Sequence, residues 1–208
     1  MTTTTQTTGV TDTQVKITYE EFLEWTGEDQ HVEWVDGEVI EMSPISNLHQ
    51  KLGVYLLSLL QVYADARHLG EVRYEPFQMK PAAHLPGRSP DILFITEAHR
   101  VRLKENFLEG PADLVVEIIS PESRARDRGD KFFEYEAAGI PEYWLLDPIR
   151  EQAEFYQLGG DGIYRPALPD AEGRYHSVVL PGLWLQVDWL WQTPLPPLLS
   201  VLKAWDLI

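Results

Sequence analysis

The chain contains no cysteine, which excludes disulfides and thiolate metal sites and fits a cytoplasmic location. It has no apolar run approaching the ~20 residues of a membrane span, so no transmembrane helix is expected. Residues 1–14 are rich in threonine and lack both a basic start and an apolar stretch. They read as a disordered tail rather than a signal peptide, leaving 15–208 as one expected domain. Positive charge is also scarce. Lys and Arg total 17 against 33 Asp and Glu, a formal net charge of −16. Such a balance argues against tight, non-specific binding of a polyanion, which normally needs a basic surface. A local basic strip, or a metal bridging to one phosphate, is still compatible with it.

What is present is an ordinary globular composition, 44% hydrophobic and 24% charged, long enough for one sizeable core. Thr18-Tyr-Glu-Glu21 is a capping-box pattern opening a short helix over about 18–26. Residues 31–42 alternate around Asp36-Gly37, a hairpin signal. Leu48, Leu52, Tyr55, Leu56, Leu59, Leu60 and Tyr63 recur at helical spacing over 47–68, with Gly70 as a stop. Strands are expected over 71–80, 89–95 and 113–119, a helix over 122–138 closed by Gly139 and Pro141, and an apolar strand over 142–146. The order is helix, three strands, helix, strand, which implies an α/β fold with a mixed sheet and a crossover. A further β-hairpin is expected over 152–167 and more strand over 175–187, interrupted by Pro181-Gly182, and the chain closes with a proline-led amphipathic segment over 194–208 with Leu198, Leu199, Leu202 and Trp205 on one side. Trp144, Trp184 and Trp189 lie in apolar runs and are expected in the core.

Two carboxylates stand out because burying one without a partner is costly. Asp91 opens a strand directly after Pro90, and Glu117 sits inside the apolar run Asp113-Leu-Val-Val-Glu117-Ile-Ile. Alternation places Asp113, Val115, Glu117 and Ile119 on one face and Leu114, Val116 and Ile118 on the other. If the two strands are neighbours, the carboxylates converge at a sheet edge. Oxygen donors with no cysteine and no closely spaced histidine pair favour Mg²⁺ or Mn²⁺ over Zn²⁺. On the 122–138 helix, Arg124, Arg128, Lys131 and Tyr135 share a stripe, with Phe132 and Phe133 expected to pack to either side. The stripe has two readings, a contact to phosphate or i,i+4 pairing with Asp127, Asp130 and Glu134 on a wet face. Glu33, Glu38 and Glu41 on the hairpin read as structural or electrostatic, and Glu151 and Glu154 on a separate hairpin as solvated strand residues.

These residues resemble a family. Pro90-Asp91, Asp113-Leu-Val-Val-Glu117-Ile-Ile-Ser-Pro, Asp127-Arg-Gly-Asp-Lys131 and Tyr135 through Asp147-Pro148 are similar to the Uma-type restriction endonucleases of the PD-(D/E)XK nuclease superfamily. The likeness extends back through Glu33-Trp-Val-Asp-Gly-Glu38 and His49-Gln50, and spans about 18–187. It implies a restriction-endonuclease-like core with added β-hairpins and Mg²⁺- or Mn²⁺-dependent hydrolysis of DNA. Asp91 and Glu117 would be the metal-binding carboxylates. The superfamily places a lysine two residues beyond the glutamate, where this chain has Ile119. The resemblance implies that Lys131, on the following helix, takes over that lysine's work, with His49 in an auxiliary contact to phosphate or water. It is also consistent with a homodimer in which two sites reach two strands.

A rival reading belongs to another class. Ile119 and the −16 charge also fit a non-cleaving binding or regulatory module that keeps the scaffold and meets a basic protein. A Lys131 ammonium distant from both carboxylates would favour that rival.

Overall fold

The computed structural model describes residues 16–26, 30–42 and 44–208. The expected tail over 1–14 lies outside the described residues. Helix α1 (Tyr19–Trp25) opens with the capping box: the Glu21 N–H donates to the Thr18 hydroxyl and the Thr18 N–H to the Glu21 carboxylate. Strands β1 (Val32–Val35) and β2 (Glu38–Glu41) form the anticipated hairpin. Asp36 and Gly37 both have positive φ, 51° and 90°, as a two-residue turn matched to strand twist requires.

Helix α2 (Asn47–Arg67) is capped by the Ser46 hydroxyl, which accepts from the His49 N–H. It ends at His68, which adopts the left-handed conformation, while Gly70 already begins the next strand. Its buried stripe is Leu52, Tyr55, Leu56, Leu59, Leu60 and Tyr63, whereas Leu48 is exposed. Each such fully buried side chain is worth about 1.5–3 kcal/mol, so this stripe holds the helix on the sheet.

The expected strand over 71–80 is split. Strand β3 (Gly70–Tyr74) belongs to the main sheet, and β4 (Gln78–Lys80) leaves it to pair in parallel with β6 (Phe107–Glu109). Strand β5 (Ile92–Thr96) begins one residue after Asp91, and β7 (Leu114–Ile118) carries Glu117. The helix expected over 122–138 is two helices, α3 (Arg124–Arg128) and α4 (Asp130–Ala138). They part at Gly129, where a Cβ would lie 2.7 Å from the Ala125 carbonyl oxygen. The chain continues through β8 (Glu142–Asp147), β9 (Gln152–Leu158), β10 (Tyr164–Pro166), β11 (Arg174–His176), β12 (Trp184–Gln186) and α5 (Leu198–Ala204).

The main sheet runs β10-β9-β8-β7-β5-β3. It is antiparallel except for the β7–β8 pair, which α3 and α4 connect as a crossover. The alternation read from the sequence holds. Leu114, Val116 and Ile118 join the core under α2, together with Trp144, Val201, Leu202 and Trp205. Val115 and Ile119 join the opposite core with Tyr135 and Tyr143. Trp184 and Trp189 pack against the first of these cores. Two apolar expectations fail: Phe133 is exposed, and α5 buries Val201 and Leu202 while Leu198 and Leu199 face solvent. Among the described residues, no helix is long and apolar enough to cross a membrane.

Candidate active site

Antiparallel register brings the two carboxylates together. Ile92 pairs with Val116 and Leu93 with Val115, so continuing the ladder by one step sets Asp91 opposite Glu117. Asp91 then replaces a ladder bond: its Oδ2 accepts the Ile118 N–H at 2.5 Å. His49, one turn into α2 and buried, places Nε2 3.2 Å from the same oxygen. Both carboxylates, His49 and Lys131 line one cavity of about 370 Å³.

Lys131 is 2% exposed, and its ammonium is caged by carboxylates from three parts of the chain. Nζ lies 2.9 Å from Glu117 Oε1, 3.2 Å from Glu33 Oε1 and 3.6 Å from Asp127 Oδ1. Tyr135, one helical turn after Lys131, donates its hydroxyl to Glu117 Oε1 at 2.7 Å. Glu33 is completely buried and is braced from behind. Arg88 donates to Glu33 Oε2 at 3.0 Å and forks onto both Glu134 oxygens at 2.8 and 2.7 Å. Arg126 approaches Glu33 at 4.0 Å.

The electrostatics follow from this packing. Burial alone would lower the Lys131 pKa, but Glu117, Glu33 and Asp127 outweigh it and hold the lysine above its ordinary value. Burial alone would raise Glu33, but Lys131, Arg88 and Arg126 pull it down to about 2. Glu117 goes the other way: burial pushes it up to about 8, and Lys131 offsets only part of that. Burial also raises Asp91 against the opposing effect of His49. For His49, the lowering by burial is outweighed by Asp91, so its pKa is raised.

These groups suit a divalent cation. Buried carboxylates with raised pKa values are short of positive charge, and Asp127 Oδ1 is buried without a hydrogen-bond partner. Among the described residues, His49, Glu75 and Asp91 each offer a ligand atom within 4.8 Å of the others. Glu75 is also held by His31, Nε2 to Oε2 at 2.8 Å.

The structure thus gathers all four residues singled out from the sequence: Asp91, Glu117, Lys131 and His49. It treats the arginines differently from either expectation. Arg124 pairs with Asp147 at 2.9 Å and Arg128 with Glu154, so they face neighbouring strands rather than a phosphate or a wet helix face. Glu154 is therefore an ion-pair partner and not merely solvated. The sequence reading passed over Arg88, Glu75 and Arg126, and gave Glu33 a structural or electrostatic role without placing it at the site. Glu33 carried the signal that selected Glu117, a carboxylate inside an apolar strand (Val32-Glu33-Trp34-Val35). Glu75 and Arg88 carried none, because each acts across a distance that local pattern does not report.

A mixed sheet with one parallel pair, edge carboxylates on adjacent strands and a lysine from the crossover helix define a nuclease-like α/β protein. The comparisons agree. A family model described as "Uma2: Putative restriction endonuclease" matches residues 19–188, and the chain belongs to that family. A protein of Synechocystis sp. (strain ATCC 27184 / PCC 6803 / Kazusa), the uncharacterised protein slr1290, is 28% identical over 149 residues, covering 71% of this chain and 77% of that one. A crystal structure from Anabaena variabilis ATCC 29413, described as a putative nuclease belonging to DUF820, superposes with a TM-score of 0.70. It is 17% identical and covers 84% of this chain and 97% of that chain.

Proposed function

We propose that the protein is a Mg²⁺- or Mn²⁺-dependent endonuclease that hydrolyses phosphodiester bonds in DNA, acting in the cytoplasm. Asp91 and Glu117 are the carboxylates that hold the metal, Lys131 is the catalytic cation, and His49 makes the auxiliary contact. The observation that carries this reading is the buried Lys131 ammonium 2.9 Å from Glu117 Oε1. A lysine 14 residues beyond the glutamate thereby stands beside it, although Ile119 occupies the expected position. Bound at the carboxylates, a divalent ion would polarise a phosphoryl oxygen and acidify a bound water.

The remaining chemistry belongs to the chain. Lys131 stays protonated, because its pKa is raised, so it serves as a hydrogen-bond donor and positive charge rather than as a base. It orients the attacking water and stabilises charge developing on the phosphoryl oxygens. Glu33 and Asp127 fix where that charge sits, and Arg88 fixes Glu33. His49, facing the cavity, contacts water or a phosphate oxygen.

One observation favours the non-cleaving module. Arg124 and Arg128 are neutralised by Asp147 and Glu154, and the cavity is lined by Glu75, Asp91, Glu117 and Asp127 against Arg126 and Lys131. Cleavage of supercoiled and single-stranded DNA with Mg²⁺ and then Mn²⁺ separates the readings. Cutting by the wild type that is lost in both Asp91→Ala and Lys131→Ala supports the nuclease. Cutting that persists in the variants refutes the site. No cutting by the wild type favours the binding module.

A further inference from the structure

Two cation positions lie side by side in the cavity, and they differ in what already fills them. The first is the cage of Glu33, Glu117 and Asp127 around the Lys131 ammonium. Its three carboxylates meet three side-chain cations, Lys131, Arg88 at 3.0 Å from Glu33 and Arg126 at 4.0 Å. A divalent ion entering there would have to displace a tethered ammonium that is 2% exposed. The second position is bounded by Asp91, Glu75 and His49, whose ligand atoms all lie within 4.8 Å of one another. Among the described residues, the ion-pair partners of these two carboxylates are imidazoles, His49 and His31, and Asp91 Oδ2 also accepts the Ile118 N–H.

His49 is the nitrogen member of this group. Its side chain is 7% exposed, and among the described residues its ring nitrogens form no hydrogen bond or ion pair besides the 3.2 Å contact to Asp91. A buried imidazole whose one polar contact is a carboxylate of the same group can exchange that contact for a shared cation.

We infer that the site takes one divalent ion per chain, held by Asp91 and Glu117 with His49 Nε2 and the Glu75 carboxylate as further ligands, so that His49 contacts the ion itself rather than a water or phosphate oxygen, and that Lys131 fills the place a second ion would need. The inference rests on the metal-dependent reading above and narrows it. An imidazole nitrogen in the ligand set selects a first-row transition ion over Mg²⁺. Of the two ions proposed above, manganese is therefore the more tightly held, and Glu117 stands between the ion and the ammonium with Oε1 committed to Lys131 and Tyr135.

The test is Mn²⁺ titration of the intact protein followed by electron paramagnetic resonance, with cleavage measured separately. Expected are one bound Mn²⁺ per chain, ¹⁴N modulation from a coordinated imidazole, and weaker Mg²⁺ competition. His49→Gln should lose the nitrogen signal, and both it and Glu75→Gln should weaken Mn²⁺ binding by more than about tenfold. Circular dichroism shows whether each variant has folded, and an Asp113→Asn control, away from the cavity, should bind like the wild type. Two ions per chain, no binding, or binding indifferent to His49→Gln and Glu75→Gln in folded protein would each overturn the inference. Binding as expected without cleavage leaves the metal site standing and refutes the nuclease. Cleavage with binding that ignores these two variants does the reverse.

Discussion

Glu33 offers the sharpest test of the buried network, because its carboxylate is completely buried and its pKa is pulled to about 2. The ordinary value is 4.5. A carboxyl whose folded pKa is depressed stabilises the fold above its unfolded pKa, and that contribution disappears as pH falls through the folded value. The gap between 4.5 and 2 corresponds to about 3 kcal/mol at neutral pH. The same linkage leaves most of it at pH 4 and less than half at pH 3. Glu33→Gln keeps the shape and mimics the protonated state. It should therefore unfold more easily than the wild type by about 3 kcal/mol at pH 7, with the difference shrinking to about 1 kcal/mol at pH 3. Urea unfolding at pH 7, 5, 4 and 3 measures both curves. Parallel curves with a constant offset would refute the reasoning, since Glu33 would then not be ionised against Lys131 and Arg88 in the folded state.

Lys131→Met should lower cleavage on the order of 10²–10³-fold by removing a charge aimed at the transition state. It should also cost about 3–5 kcal/mol of stability by leaving Glu33, Glu117 and Asp127 buried without their ammonium, so single-turnover kinetics and urea unfolding are measured together. Arg126→Gln should weaken DNA binding about evenly across sequences and reduce the magnitude of the salt-dependence slope by about 1; fluorescence anisotropy against salt reads this. Far from the cavity, Glu142 is a buried hub. Its Oε1 accepts from Trp144 and Tyr175 at 2.6 and 2.8 Å, and its Oε2 from Ser177, Val178 and Val179 at 2.8, 2.9 and 2.9 Å. Glu142→Ala orphans these donors and should cost about 3–5 kcal/mol while leaving Mn²⁺ affinity unchanged. Loss of metal binding in folded Glu142→Ala would show that the two ends of the sheet are coupled.

Local pattern carried most of the architecture. The Asp36-Gly37 turn, the α2 stripe and the alternation around Glu117 each depend on residues within a few positions, and each is present as read, save for the exposed Leu48 at the start of α2. The three-residue strand β6 was missed because three residues cannot display a period, and β4 was read as the end of one longer strand, since its pairing with β6 joins segments nearly 30 positions apart. Gly129 was taken as an interior helix residue, since one glycine lowers helix propensity only modestly. The decisive feature is the close approach to the Ala125 carbonyl, which no propensity encodes. The site divides along the same line. Asp91 and Glu117 were legible because a carboxylate in an apolar run demands a partner. Lys131 was placed by resemblance, and Asp127, four residues before it, by helical spacing, but Glu33 could not be set beside them, since it reaches the ammonium from a distant hairpin.

Net charge constrains how such a site would meet DNA. At −16 the chain as a whole repels a polyanion, and the basic stripe on α3 and α4 offers no relief because Arg124 and Arg128 are already paired. What remains at the cavity is Arg126, with its side chain 25% exposed, and the deficit of positive charge at Asp91, Glu75 and Glu117. A divalent ion reverses that deficit at the point where a scissile phosphate would sit, so metal and phosphate would bind with mutual support rather than through a preformed basic groove. Binding of this kind is weak without metal and sensitive to the ion chosen. For a cleaving protein, the same acidic surface then restrains idle contact with nucleic acid while the ion supplies the local attraction.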